Sequence, residues 1–362
     1  MKMNVYIIVF GIIVVIIIAA LASTFFFNQS SLPSPQQNIS LSSLKNYGPA
    51  PNIQGISGWI NSAPLNLTQF RGKVVIVDFW TYSCINCIRS IPYLNAWYKE
   101  YGGNNGLVII GVSTPEFQFE HNYTNVKNAV EKDGIMYPVA LDNNYSTWTA
   151  YNNEYWPADY IIDKNGDIRY EVFGEGGYNT TQQVIVELLK NAGYNVSDNM
   201  TLPASTTNFS LVRSPEMYLG YQEIETGRTD VLGNPQGYIP NNAVNYTATN
   251  ISQGNTVYLE GAWYDANYSI VSESNNSKLF LVYDAKNLNV VASGNTSITV
   301  KIDGKPANQS FIGTDGKIVN GTDYVTINQS RLYDLINAPS YGIHEIEIDA
   351  HKGFHVYTFT FG

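Results

Sequence analysis

The stretch from Lys73 to Gly102 restricts the fold more than any other part of this chain. "KVVIVDFW" (Lys73–Trp80) is an unbroken apolar and β-branched run, which predicts a central strand buried on both faces. Four residues later come Cys84 and Cys87, the only cysteines present, and "CIRSIPYLNAWYKEYG" continues with helical spacing to a stop at Gly102. A cross-link between thiols three positions apart closes a loop too short to stabilise a fold much, because the entropic gain grows with loop length. The pair suits chemistry better than architecture.

Around this unit, from Ile53 to about Val196, strand and helix signals alternate. "GLVIIGVST" (Gly106–Thr114) reads as a second buried strand, "NVKNAVEKDG" as a short helix closed by Gly134, and "YPVALD" as extended. "ADYIIDKNGDIRYEVFG" reads as a hairpin turning at Lys164-Asn165-Gly166, and "TQQVIVELLKNAG" as a final helix ended by Gly193. The polar, proline-containing segment 197–212 is a linker. From 213 to 362 the pattern becomes all-β: short alternating runs separated by Gly, Asn, Asp and Ser, with "SKLFLVYDA", "NLNVVAS" and "YVTINQSRLYDLI" among the separate strands.

The 362 residues suffice for about two domains. With 20 basic and 30 acidic residues the chain carries a formal charge of −10, which argues against nucleic acid as a partner. Charged residues make up only 14%, and Tyr, Asn, Ser and Thr supply the polar surface instead, a composition suited to the outside of a cell. Residues 1–27 include "VYIIVFGIIVVIIIAALASTFFF" (Val5–Phe27), an uncharged run longer than the ~20 residues that span a bilayer. Ala20-Leu21-Ala22 has the form of a signal cleavage site, but the apolar run extends beyond it, so an uncleaved transmembrane helix is the expectation. Residues 28–50, rich in Ser, Pro and Gln, are expected to form a linker that holds the domain spanning 51–196 off the membrane. Seventeen Asn-x-Ser/Thr sequons occur where chance predicts about six, which favours a glycosylated, extracytoplasmic protein.

The strand-to-helix junction places Cys84 where unpaired N–H groups and the helix dipole favour a thiolate. Cys87, one turn further in, is positioned to attack a mixed disulfide at Cys84. Asp78, six residues before Cys84 in an apolar strand, is a candidate to accept the proton of the resolving thiol; its structural alternative is a strand-end carboxylate that only meets water.

The strand, Asp-Phe-Trp, Cys-x-x-Cys and Pro92 together resemble the thioredoxin fold. Trp156-Pro157 stands where thioredoxins carry a cis-proline beside the disulfide, and the inserted segment from Phe117 to Asp142 resembles the membrane-anchored TlpA-like branch. "FWTYSCINCIRSIPYL" and "GVSTPEFQFE", with "RSPEMYLGY", "LEGAWY", "VKIDGKP" and "YTFTFG", resemble the extracytoplasmic part of DipZ-type proteins. The resemblance implies an α/β thioredoxin-like domain followed by an all-β sandwich, jelly-roll-like and similar to carbohydrate-binding modules. It implies a thiol-disulfide oxidoreductase acting on protein disulfides through Cys84 and Cys87, with Trp80, Trp156 and Pro157 shaping the docking surface and no cofactor or metal. DipZ-type proteins begin with a multi-span electron-conducting domain; the single apolar run here implies a separate membrane electron donor resembling CcdA. Ser90 stands where some TlpA-like reductases place a glutamate, leaving Asp78, with Glu116 behind it, to handle protons.

Two other classes stay open. Thr81-x-x-Cys84 imitates half of a peroxiredoxin signature, although Val77 occupies the expected proline position. A non-enzymatic reading has the β-sandwich bind a glycan or protein ligand through exposed aromatics; Trp263, Tyr264, Tyr268 and Tyr341 are candidates, against the commoner fate of strand aromatics in the core. His121, His344, His351 and His355 form no metal-binding pattern.

Overall fold

A computed structural model of the chain describes residues 39–362 apart from Asp198, Thr206 and Ser252. The apolar run Val5–Phe27 lies outside the described residues. Among those described, no helix is long and apolar enough to cross a membrane.

The first domain is a seven-stranded sheet flanked by helices. Its strands are β1 (Gly48–Pro49), β2 (Gly58–Ile60), β3 (Val74–Trp80), β4 (Leu107–Ser113), β5 (Val139–Leu141), β6 (Ala158–Ile162) and β7 (Asp167–Phe173). They lie in the order β1-β7-β6-β3-β4-β5-β2. β3, β4 and β5 run parallel, while β6 lies antiparallel beside β3. Every residue of β3 is buried, as its unbroken apolar run requires of a strand covered on both faces. The helices are α1 (Ile85–Tyr101), α2 (Tyr123–Lys132), α3 (Ser146–Ala150) and α4 (Tyr178–Asn191). β3 runs into α1 through Thr81–Ser83, and α1 buries Ile91, Leu94 and Trp97. The expected linker ends sooner than residue 50: the Tyr47 N–H donates to the Ile168 carbonyl, and β1 pairs with β7 at the sheet edge.

The second domain is almost wholly β, with a single five-residue helix, α5 (Tyr221–Glu225), among the described residues. Its strands are β8 (Met217–Tyr218), β9 (Ala243–Tyr246), β10 (Thr256–Asp265), β11 (Ile270–Ser272), β12 (Ser277–Ser293), β13 (Thr296–Ile302), β14 (Lys305–Pro306), β15 (Gly316–Val319), β16 (Thr322–Ile327), β17 (Arg331–Ala350) and β18 (His355–Phe361). They form one antiparallel sheet that folds over a shared apolar core including Trp263, Tyr333 and Phe359. The fold is drawn together by β12, which pairs with β10, β17 and β18. "SKLFLVYDA" and "NLNVVAS", expected as two strands, are this one strand. Its polar middle marks register shifts at Ala285/Asn287 and Leu288/Asn289 rather than a turn. Similarly, "YVTINQSRLYDLI" divides at Asn328–Ser330, and its second half continues through Pro339 and Gly342 as β17.

The two domains pack directly on each other. Ile85 and Ile88 of α1, with Phe117 and Phe119, meet Val291, Leu332, Tyr218 and Tyr357 of the β domain in one apolar cluster. Around it, the Tyr82 hydroxyl donates to the Ser330 carbonyl at 3.1 Å. The Arg89 guanidinium binds both carboxylate oxygens of Glu175 and reaches the Phe361 carbonyl.

Candidate active site

Cys84 caps the N-terminus of α1: its Sγ accepts the Cys87 N–H at 3.2 Å, satisfying one of the donors left unpaired at a helix start. Cys84 is half-buried and Cys87 wholly buried, and both thiols are free. The outer sulfur can therefore meet a substrate while the inner one waits behind it. The expected helix-end thiolate is opposed by its surroundings: burial pushes the Cys84 thiol up, hydrogen bonding with Cys87 pulls it down, and the carboxylates of Glu216 and Glu116 push it up again. Burial raises the Cys87 thiol further, helped by the hydrogen bond and charge of Cys84 and then by the charge of Asp78.

Asp78 lies in β3 at 1% exposure, and neither of its carboxyl oxygens has a hydrogen-bond partner among the described residues. Asp159 stands directly opposite it in the β3–β6 ladder and is itself buried. Burial and the second carboxyl raise Asp78 well above the usual carboxylate range, and burial brings Asp159 to about 7. Sequence reasoning passed over Asp159, which sits two positions after Pro157.

The Trp156–Pro157 bond is cis. It brings the Trp156 carbonyl to 4.0 Å from the Cys84 Sγ, while the Trp156 indole donates to the Thr114 carbonyl and packs on Trp148. Trp80, expected beside them on the docking surface, is a correction. It is 1% exposed because it points into the core, where a Cβ built on Gly111 would fall 2.9 Å from its Nε1.

Glu120 was also missed, although it ends the stretch "GVSTPEFQFE". It is 1% exposed and gathers the active-site loops. One oxygen accepts the Ser83 hydroxyl at 2.5 Å, and the other accepts the backbone N–H groups of Glu116 and Phe117. Burial lifts it to about 7 against these hydrogen bonds. Ser90 only donates to the Cys87 carbonyl.

Glu116 turns away from a proton-transfer role. It pairs with Arg228 of the β domain at 2.7 Å and accepts the Tyr218 hydroxyl at 3.0 Å. These residues, with Ser83, Trp156, Glu216 and Thr358, wall a cleft of about 210 Å³ over Cys84. The β domain thus forms one side of the entrance to the thiol. Of its candidate aromatics, Trp263 is core, with its indole donating to the Glu260 carbonyl, whereas Tyr268 is exposed.

Residues 49–171 match the model of the AhpC/TSA family, and residues 214–362 that of the thioredoxin like C-terminal domain. Protein DipZ of Mycobacterium bovis and of Mycobacterium tuberculosis are each 37% identical to the chain over 326 residues, covering 88% of it and 44% of either relative. The chain is a thioredoxin-fold relative of DipZ. It spans less than half the length of those two proteins. It is also similar to thiol-disulfide oxidoreductase ResA of Geobacillus kaustophilus, 32% identical over 108 residues, which cover 30% of this chain and 59% of ResA. The DipZ alignment covers 88% of the chain and so extends into both domains.

Proposed function

We propose that this protein is a membrane-anchored, extracytoplasmic thiol-disulfide oxidoreductase that reduces protein disulfides. The observation that carries the reading is the stacking of the two sulfurs: Cys84 at the mouth of the cleft with Cys87 buried one turn behind it. The Cys84 thiolate attacks one sulfur of a substrate disulfide, forming a mixed disulfide and releasing the other substrate sulfur as a thiolate. Cys87 then attacks the Cys84 Sγ, the bond to substrate breaks, and the protein is left with a Cys84–Cys87 disulfide. Asp78 takes the Cys87 proton, directly or through one water. Trp156 and Pro157 hold the substrate chain, and the walls of the cleft admit an extended segment or loop in preference to a folded surface. Val5–Phe27 is the anchor, and a CcdA-like membrane partner returns electrons to the oxidised pair.

Insulin reduction tests this reading. Cys84→Ser abolishes it, and Cys87→Ser accumulates mixed disulfides with clients; undiminished activity in the Cys84 variant overturns the assignment. The match to the AhpC/TSA family favours one rival, a thiol peroxidase. Consumption of hydrogen peroxide that outpaces insulin reduction and survives Cys87→Ser selects the rival.

A further inference from the structure

The carboxyls of Asp78 and Asp159 face each other across the β3–β6 ladder, where directly opposed residues hold their Cβ atoms about 5 Å apart. Both side chains are buried, at 1% and 9% exposure. Neither Asp78 oxygen, nor the Asp159 Oδ1, has a hydrogen-bond partner among the described residues. Two like charges opposed this closely in a dry site, with no donor to support them, do not both ionise. The other titratable groups around them are the Cys87 thiol on α1, the Tyr137 phenol ahead of β5 and the Tyr178 phenol on α4. None of these supplies a positive charge that could let both carboxylates form.

We propose that Asp78 and Asp159 share a single proton, so that the pair can both take the proton of Cys87 and give it back. The inference rests on the reading of Cys84 and Cys87 as a redox pair. As the Cys87 sulfur attacks the Cys84 Sγ of a mixed disulfide, its proton passes to the singly protonated pair, which becomes neutral. The bond from Cys84 to substrate breaks, the Cys84–Cys87 bond forms, and the departing substrate thiolate takes a proton from water. In the opposite step a donor thiolate attacks Cys84, the Cys84–Cys87 bond breaks, and the pair, carrying two protons, gives one to the leaving Cys87 sulfur and returns to its single-proton state. The pair thus moves between one and two protons and never has to hold two buried negative charges. The Asp78 charge acts on the Cys87 thiol, and Asp159 works through Asp78 as a positioning residue for the proton.

The test is made on the full chain. Release is followed after the reduced protein reacts with an aromatic disulfide whose thiolate is coloured, as Cys87 discharges the thiolate held on Cys84. Opening is followed by tryptophan fluorescence when dithiothreitol reduces the oxidised pair. With Asp159→Asn, opening falls about a hundredfold at about pH 8, the usual contribution of a positioned acid, while release stays within about threefold. Equal slowing of both steps, or unaltered opening, overturns the proposal. Wild-type protein gives a second reading that needs no variant: with carboxyl-labelled aspartate, the NMR signals of Asp78 and Asp159 move together in the same two pH steps. Independent single titrations at ordinary carboxylate values overturn the shared proton. If Cys87 never discharges the coloured thiolate, the redox reading fails instead, while the NMR result still decides the proton.

Discussion

Glu120 makes the stability of the active-site loops depend on pH. Its carboxyl titrates at about 7 in the folded chain against 4.5 when free, because burial disfavours the charge more than its hydrogen bonds support it. Below the free value the group is protonated in both states and contributes nothing. As pH rises from there, the unfolded chain gives up the proton and the folded chain keeps it, so the folded state binds more protons and unfolding becomes easier. The loss is complete above the folded value. The difference of 2.5 units (7 minus 4.5) amounts to about 3 kcal/mol, an upper figure for a single buried group. Glu120→Gln keeps an oxygen for the Glu116 and Phe117 N–H groups and turns its amide toward the Ser83 hydroxyl, which can accept. The variant therefore loses the charge but retains most of the contacts. Urea unfolding measured across this pH interval should fall in wild type and be flatter in the variant by up to that amount. A wild-type curve that climbs with pH, or a variant curve parallel to it, refutes the reasoning. Asp159 adds a fall of the same sign, so some slope remains in the variant.

Three further substitutions probe the scaffold and the cleft. Gly111→Ala places a Cβ 2.9 Å from the Trp80 indole nitrogen and 3.2 Å from the Tyr137 ring, and should cost about 1–3 kcal/mol in thermal or urea unfolding; a neutral effect means the core under the active-site strand is looser than its packing indicates. Leu332→Ala empties a buried position of the interdomain cluster. It should cost about 2 kcal/mol and quicken proteolysis at the domain junction, whereas unaltered stability argues against a firm interface. Glu216→Gln removes a negative charge that pushes the Cys84 thiol up, so alkylation of Cys84 by iodoacetamide at neutral pH should become a few-fold faster; an unaltered or slower rate shows that burial alone governs that sulfur.

The parts of the molecule legible in the sequence are those in which neighbours along the chain decide the outcome. β3 needs only its own apolar run, and α1 needs only its spacing and Gly102, so both ends of the Cys84–Cys87 motif were readable. Asp78 stood out because a lone acid within such a strand is conspicuous. Asp159 did not, since its meaning comes from β6 lying antiparallel to β3 in one register, and a shift of one residue would turn it to the other face. Trp80 was misread for a related reason: motif proximity placed it on the docking surface, but its indole is buried against Gly111 of the neighbouring strand β4. In the β domain, the polar residues within β12 and the Pro339 and Gly342 within β17 imitate turns. Long strands with register shifts carry the same residue types as short strands with loops, and only pairing partners distinguish them.

The same distinction explains why the entrance to Cys84 was not foreseen. Glu116 is near the motif in sequence and suggested a proton-handling acid, yet its partners are Arg228 and Tyr218, more than a hundred residues further along the chain. The Arg228 guanidinium lies 3.3 Å from the centre of the Tyr218 ring and also binds Glu223, so it is fixed on two sides before it meets Glu116. A partly buried ion pair with both partners held in this way loses more when one member is removed than an exposed pair does. The contact therefore fixes where the β domain sits over the thiol as well as closing one wall of the cleft. A thioredoxin-like domain exposed on all sides would offer Cys84 to many disulfides. Here the cleft over Cys84 is walled on one side by the β domain and on the other by the domain that carries the thiols.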